Sequence, residues 1–169
     1  MKTMILLFML IPFISFSQFI KSDQTDSFTH QKRIVTKSVN ISGDIFSNTA
    51  IDEISYYTIN ETINIVLHGG GNSSTAGTVL KDDIALLITD KDTIVVKSIG
   101  LQISYGRYGP INYDEAYFIT KEDVIKLSRN KLLSIRRYTT AGIFDFLIKE
   151  KFQHNLMQLS DALLKEMDK

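Results

Sequence analysis

The stretch His68–Gly71 reads His-Gly-Gly-Gly, and it is the first place where residue types and spacing suggest catalysis. In lipases and esterases such a loop aims backbone N–H groups at the negative charge that develops during acyl transfer. The enzyme also needs a nucleophilic serine within a G-x-S-x-G turn, and no serine of this chain has that context. The sequence therefore favours a flexible connection between two strands, with His68 at a strand end.

The sequence contains no motif typical of a nucleotide site or a metal site. The stretch after His68 lacks the lysine of a P-loop and the spacing of a G-x-G-x-x-G motif, so it does not predict a nucleotide site. The three histidines, His30, His68 and His154, are isolated, and Asp90–Asp92 lacks the glycine and the final glutamate of a calcium loop. We therefore predict no cofactor and no metal, and we assign no catalytic residue.

Three close pairs of carboxylates offer another route to catalysis: Asp82/Asp83, Asp90/Asp92 and Asp114/Glu115. Two carboxylates can hydrolyse a glycosidic bond only if the fold places them across a cleft. Charged turns and strand ends are the ordinary explanation for such pairs. A small hydrolase, esterase-like or glycosidase-like, that uses His68 or these loop carboxylates is the alternative function.

A second stretch, residues 105–117, combines tyrosine and arginine with two glycines and a proline. Tyrosine and arginine are enriched at binding hot spots because they offer a large amphipathic contact area. Loops on a rigid sheet are also common sites of binding. A packed connection whose tyrosines cover a sheet edge is the alternative. The candidate binding residues are Tyr105, Arg107, Tyr108 and Tyr113.

The first seventeen residues have the three-part plan of a secretory signal peptide. A lysine precedes an apolar run over residues 4–16, and Ser15 and Ser17 occupy the −3 and −1 positions of a cleavage site before Gln18. A membrane span needs about 20 apolar residues, and Pro12 interrupts this shorter run. We predict that the leader is cleaved and that no membrane anchor remains, because the chain also lacks the cysteine that a lipoprotein anchor requires.

Composition restricts the classes of partner. The 19 basic residues balance 19 acidic ones, and loss of Lys2 with the leader brings the mature chain to about −1. Nucleic acid and anionic membranes call for a clustered basic excess, so neither is expected. The absence of cysteine from an exported protein is more typical of bacteria than of animals. We therefore expect a periplasmic or secreted protein of a Gram-negative bacterium.

Short runs of Ile, Val, Thr and Tyr, bounded by Asn, Gly and Asp, predict strands after residue 32. In the run 53–68, Ile59, Ile63, Ile65 and Leu67 share one parity, which predicts one buried face. Two hairpins are expected. The first joins Ile84–Thr89 to Thr93–Ser104, and the second joins Leu132–Tyr138 to Ile143–Ile148. The run Ala85–Ile88 does not alternate, which predicts a central strand covered on both faces.

Two helices are expected to cover the sheet. Thr120 is a predicted N-cap for a short helix that ends near Asn130. A one-sided apolar stripe between about Glu150 and Met167 predicts a terminal amphipathic helix. The order of elements predicts an α+β fold, an antiparallel sheet of about 5–7 strands with both helices packed on it. The domains are then a signal peptide (1–17), a flexible leader (18–32) and a single α+β domain (33–169).

The segment from Asp83 to the end contains the runs DIALLITDKDTIVV, YFITKEDVIKLS and FDFLIKE and ends in the amphipathic helix. In these motifs it resembles many small exported bacterial proteins of uncharacterised function. The resemblance covers about half of the chain and names no particular family. It implies an α+β fold and carries over no catalytic residue.

These observations favour a non-enzymatic binding or interaction protein of the bacterial envelope. The expected binding regions are the loops 68–78 and 105–114, and the expected partner is a protein or an envelope glycan. An immunity or inhibitor role would fit the size and the location. The oligomeric state is not encoded in any pattern of this sequence.

Overall fold

The computed structural model describes residues 18–41, 51–71, 79–104 and 111–169. Over these residues the chain forms ten strands, two α-helices and a 3-10 turn (Glu150–Phe152). The helices are α1 (Lys121–Arg129) and α2 (Asn155–Met167). The strands are β1 (Ile20–Thr25), β2 (Lys32–Thr36), β3 (Val39–Asn40), β4 (Ile51–Ile59), β5 (Thr62–Gly71), β6 (Ile84–Thr89), β7 (Thr93–Ser104), β8 (Ile111–Ile119), β9 (Leu132–Thr139) and β10 (Gly142–Leu147).

The strands join one antiparallel sheet in the order β1-β2-β4-β5-β8-β7-β6-β9-β10, with the short β3 beside β4. The predicted class, an antiparallel sheet with two helices, is confirmed. The predicted number of 5–7 strands is too low, because ten strands lie in the described part of the chain. Both predicted hairpins are present, as β6–β7 and β9–β10.

The hairpin β4–β5 is not predicted by the sequence, in which residues 53–68 form a single run of strand-forming residues. The two residues between these strands, Asn60 and Glu61, make a tight turn in which Asn60 has φ 54°. The turn places Ile59 opposite Thr62, on the other face from the buried Ile63. The expected common face of Ile59 with the later isoleucines is therefore wrong.

A second difference lies in residues 18–32, which were expected to form a flexible leader. The structure places β1 there, paired antiparallel with β2. Phe19 and Ile20 pack against the core. Backbone pairing and this apolar contact hold β1 although its other side chains are mostly exposed and polar.

The helices cover one face of the sheet, here called the covered face. Tyr56 on β4 points to this face, and its hydroxyl group lies 2.8 Å from Ser160 Oγ on α2. The side chains of Val124 and Leu127 on α1 are buried in the same core. The side chain of Thr120 accepts a hydrogen bond from Asp123 N at 3.1 Å, as the N-cap prediction required.

The opposite side of the sheet is called the distal face. On β6, which lies between β7 and β9, Ala85 and Leu87 are buried on the covered face. Ile84, on the distal face, is 37% exposed, and on β7 the distal Val95 is 60% exposed. The expectation that β6 is covered on both faces is therefore wrong, although its central position is correct.

Candidate functional site

A cavity of about 650 Å³ lies on the distal face, across β4, β5, β8 and β7. Strand register explains its position. One cross-strand row contains only small or short side chains, since Ser55 pairs with Val66, Val66 with Ala116, and Ala116 with Gly100. Bulkier residues such as Tyr57 occupy a flanking row, so the row of short side chains forms the floor of a hollow. We call this hollow the distal cavity.

Gly100 shapes the distal cavity through its backbone. The register of β7 against β8 shifts between Ser98 and Gly100, which marks a β-bulge. Gly100 has φ +133°, in the region that favours glycine. A Cβ atom there would meet no other atom within 4 Å, so conformation and not space requires the glycine. The bulge turns the exposed Ile99 towards the cavity.

Three polar side chains form a hydrogen-bonded chain at one end of the distal cavity. His68 Nε2 lies 2.7 Å from Ser55 Oγ, and His68 Nδ1 lies 2.7 Å from Asp114 Oδ1. The three residues come from β4, β5 and β8, and the register places Asp114 directly opposite His68. Pairing of the strands therefore positions all three groups, which we call the polar row.

The chemistry of the three groups sets the direction of these hydrogen bonds. An ionised carboxylate can only accept, so Asp114 Oδ1 accepts the hydrogen bond that His68 Nδ1–H donates. In the tautomer with a single ring proton on Nδ1, Nε2 of His68 has a lone pair to which the Ser55 hydroxyl donates. Exposure rises along the polar row, from 7% for Ser55 to side-chain values of 30% for His68 and 47% for Asp114. Ser55 therefore lies at the floor and Asp114 at the rim.

The remaining lining of the distal cavity is largely apolar, with Ile59, Val66 and Ile99 among its residues. The end that contains the polar row is lined by one carboxylate, Asp114, and a second carboxylate lies nearby outside the lining. Glu53 lies opposite His68 on β4, in addition to Asp114 on β8. Glu53 Oε2 accepts a hydrogen bond from the hydroxyl of Ser38. The cavity thus combines an apolar body with one end rich in hydrogen-bond acceptors.

The paired carboxylates of the sequence do not lie across a cleft. Asp114 and Glu115 are adjacent on β8 and therefore point to opposite faces of the sheet. Glu115 is buried on the covered face in an ion pair with Arg137, and the Tyr117 hydroxyl donates to its Oε2 at 3.0 Å. Asp82 and Asp83 precede β6, and Asp90 and Asp92 belong to the turn of the β6–β7 hairpin.

The predicted binding loops are described only in part. Tyr105, Arg107 and Tyr108 lie outside the described residues, whereas the backbone of Tyr113 pairs with Gly69 and Ile103. The expectation that loops begin at His68 and extend to Asp114 is wrong, because residues 68–71 belong to β5 and residues 111–114 to β8, where Gly71 pairs with Ile111. The polar row lies at this end of the sheet. His68 and Asp114 were candidates in the sequence analysis, but Ser55 was not.

A second cavity, of about 620 Å³, is lined by Lys32, Lys121 and Met167 among others. Its cations already have partners in the protein. Lys32 Nζ donates to the backbone oxygen of Glu166 at 3.2 Å, and Lys121 Nζ lies 2.7 Å from Asp168 Oδ1. The distal cavity is therefore the stronger candidate site.

Comparison of the chain with family models, with curated proteins and with solved structures finds no match. Among the described residues, three or more His, Asp or Glu side chains nowhere cluster in a way that could hold a metal ion. In the same part of the chain, no helix has the length and hydropathy needed to cross a membrane.

Proposed function

We propose that this chain is an exported binding protein of the bacterial envelope and that the distal cavity is its ligand site. The supporting observation is the combination of an apolar floor and wall with the polar row at one end. Ligand sites in proteins are typically concave and mostly apolar, with a few polar groups that orient the ligand. The distal cavity has both features.

The charges of the site favour one class of ligand. Asp114 and Glu53 both lie next to His68, so a carboxylate or phosphate in this position would meet repulsion. A hydroxyl or ammonium group would instead donate to Asp114. We therefore propose an amphipathic ligand with an apolar body and a hydrogen-bond donor at one end. A glycan or protein partner, as expected from the sequence, would have to present the same combination of groups.

Matched eight-carbon compounds test this proposal, because only their head groups differ. We expect n-octylamine and n-octanol to bind and to raise the melting temperature of the protein, since ligand binding stabilises the folded state. Octanoate should bind at least about tenfold more weakly, which corresponds to about 1.4 kcal/mol. Equal binding of octanoate, measured by titration calorimetry, would contradict the proposed role of the acidic end.

Two valine variants locate the binding site. Val66 lines the distal cavity, whereas Val95 lies on the same face but is not among the cavity residues. Loss of a buried valine contact costs about 1.5 kcal/mol, so Val66→Gln should weaken n-octylamine binding about tenfold. Val95→Gln is the control and should leave binding unchanged. If both variants weaken binding equally, the ligand does not occupy the distal cavity.

The stretch 105–114, whose residues 111–114 form the start of β8, remains a proposed contact region for a larger partner. Its candidate residues Arg107 and Tyr108 combine charge with a large amphipathic ring, the types most enriched at hot spots. Both residues belong to the connection between β7 and β8, and the first residue of β8, Ile111, pairs with Gly71 of β5.

A further inference from the structure

We infer that Ser55 is an activated nucleophile and that the distal cavity hydrolyses esters with an apolar acyl group. The inference rests on the proposed ligand site, because the same cavity would hold the substrate. It adds a chemical step that binding alone does not require. It also supplies the serine that the hydrolase alternative lacked in the sequence analysis.

The geometry of the polar row supports this role for Ser55. A nucleophile and its base must lie within about 2.6–3.2 Å, and Ser55 Oγ lies 2.7 Å from His68 Nε2. Asp114 holds the other ring nitrogen and so fixes the tautomer in which Nε2 can take the hydroxyl proton. Ser55 and His68 are the proposed catalytic residues, and Asp114 is a positioning residue. Such a set is recognised by geometry and roles, not by chain order.

The neighbours of Ser55 indicate the substrate class. Val66 lies directly opposite Ser55, and Ala116 lies opposite Val66 on the next strand. An ester whose carbonyl carbon approaches Ser55 Oγ would therefore lay its acyl chain on short apolar side chains. The acidic end disfavours acyl groups that carry a carboxylate. Neutral esters of apolar acids fit both conditions.

The reaction balances without a cofactor. Ser55 Oγ forms a bond to the carbonyl carbon while its proton moves to His68 Nε2. The ester C–O bond breaks, and the leaving alkoxide takes that proton and departs as an alcohol. Water then attacks the carbonyl carbon of the acyl-serine and gives a proton to His68 Nε2. The bond between this carbon and Ser55 Oγ breaks, and Oγ takes the proton back from His68. The products are a carboxylic acid, an alcohol and the free enzyme.

A backbone hydrogen bond of β4 limits the expected rate of ester hydrolysis. In many serine hydrolases the backbone N–H after the nucleophile stabilises the oxyanion. Here that group belongs to Tyr56 and donates to Thr36 Oγ1 at 2.8 Å. The polar row thus provides general-base activation, worth about 10²–10⁴-fold, without this donor. We expect slow turnover, so covalent capture of Ser55 is the more sensitive measurement.

The test treats the purified full chain with an alkyl fluorophosphonate and with p-nitrophenyl butyrate. Mass spectrometry should locate the phosphonyl adduct on Ser55. Ser55→Ala should abolish both labelling and ester hydrolysis, and His68→Gln should slow labelling by about 100-fold. Ser134→Ala, a serine on β9 outside the cavity, is the matched control and should react like the wild type. Melting curves should confirm that each variant folds.

The role of Asp114 is tested by the labelling rate of Ser55, which would not change if Asp114 only stabilised the fold. Asp114→Asn should slow labelling while Asp114→Glu restores part of the rate, because a carboxylate is needed to hold the histidine tautomer. Absence of an adduct on Ser55, with n-octylamine binding intact, would overturn the nucleophile and leave the ligand site standing. Absence of both would overturn the ligand site as well. An adduct on any other residue would also contradict the inference.

Discussion

Glu115 and Asp114 are neighbours in the chain, yet their side chains lie in opposite environments. Asp114 reaches the rim of the distal cavity, whereas Glu115 is 2% exposed and pairs with Arg137, which is fully buried. The Arg137 guanidinium also lies 4.8 Å from the centre of the Phe146 ring. Burial raises the pKa of Tyr117, and the nearby Glu115 carboxylate raises it further. The phenol therefore stays protonated and donates to Glu115.

Breaking this buried pair should be costly. Glu115→Gln removes the carboxylate that pairs with the buried Arg137 guanidinium, and breaking a buried pair typically costs about 3–5 kcal/mol. Urea unfolding should show this loss, whereas Asp114→Asn, at the half-exposed rim, should cost less than about 1 kcal/mol. The double variant Glu115→Leu/Arg137→Met removes both charges and should regain most of the stability. Equal stability of Glu115→Gln and the wild type would show that the pair contributes little.

The residues of the polar row were only partly predictable. His68 and Asp114 are candidate residues from the sequence because a histidine and a pair of adjacent carboxylates are recognisable by residue type. Ser55 carries no such signal, because it lies 13 positions before His68 in an ordinary strand. Its contact with His68 depends on the β4–β5 register, which includes a bulge between Ile51 and Glu53. A one-residue slip would move a side chain to the other face of the sheet, so sequence spacing could not reveal the set.

At the scale of elements, the terminal helix was predictable because its apolar stripe follows the helical period. The structure shortens it: residues 150–152 form a 3-10 turn, and α2 begins at Asn155. Leu156, Leu159 and Leu163 of the predicted stripe are buried against the sheet. Phe152, the first residue of the predicted stripe, lies in the turn and is half-buried. The helix is therefore a major contributor to the core on the covered face.

Truncation of the stripe should test this role of α2. Leu156 and Leu163 are 1% and 0% exposed, so Leu156→Ala or Leu163→Ala should each cost about 2–5 kcal/mol. That is a large part of a typical stability of 5–15 kcal/mol. Thermal unfolding should show both variants melting early, whereas the exposed Gln158→Ala should melt like the wild type. Wild-type melting of both leucine variants would mean that α2 does not close the core.

The strands show what sequence patterns detect and what they miss. The β6–β7 hairpin has a charged turn between two apolar runs, and that contrast made it predictable. The β4–β5 hairpin turns at Asn60 and Glu61, where the residue types differ little from those of the two strands. The sequence therefore predicts one strand at this place. β1 is polar and is held largely by backbone pairing. Backbone hydrogen bonds do not depend on the hydropathy of the side chains, so a hydropathy pattern does not reveal them. The predicted number of strands is therefore too low.

At the scale of the whole molecule, the sheet brings several chain segments to one end. Ile51, at the start of β4, pairs with Gly69, and Gly69 pairs with Tyr113. Ser104, at the end of β7, pairs with Asn112. The connections 42–50, 72–78 and 105–110 are therefore attached at the end of the sheet that carries the polar row. This placement favours that end as the place where a partner would approach the distal cavity.

The last prediction concerns export of the whole chain. Phe19 and Ile20 pack against the core, so cleavage before Gln18 would leave β1 intact. We expect intact-mass analysis of periplasmic or secreted material to give a chain of residues 18–169. Leu7→Arg, which places a charge in the apolar run, should block export and leave the uncleaved chain inside the cell. The conservative Leu7→Ile should be exported normally. Recovery of the wild type from the membrane fraction with its leader retained would contradict the predicted location, and the proposed envelope function would then lose its basis.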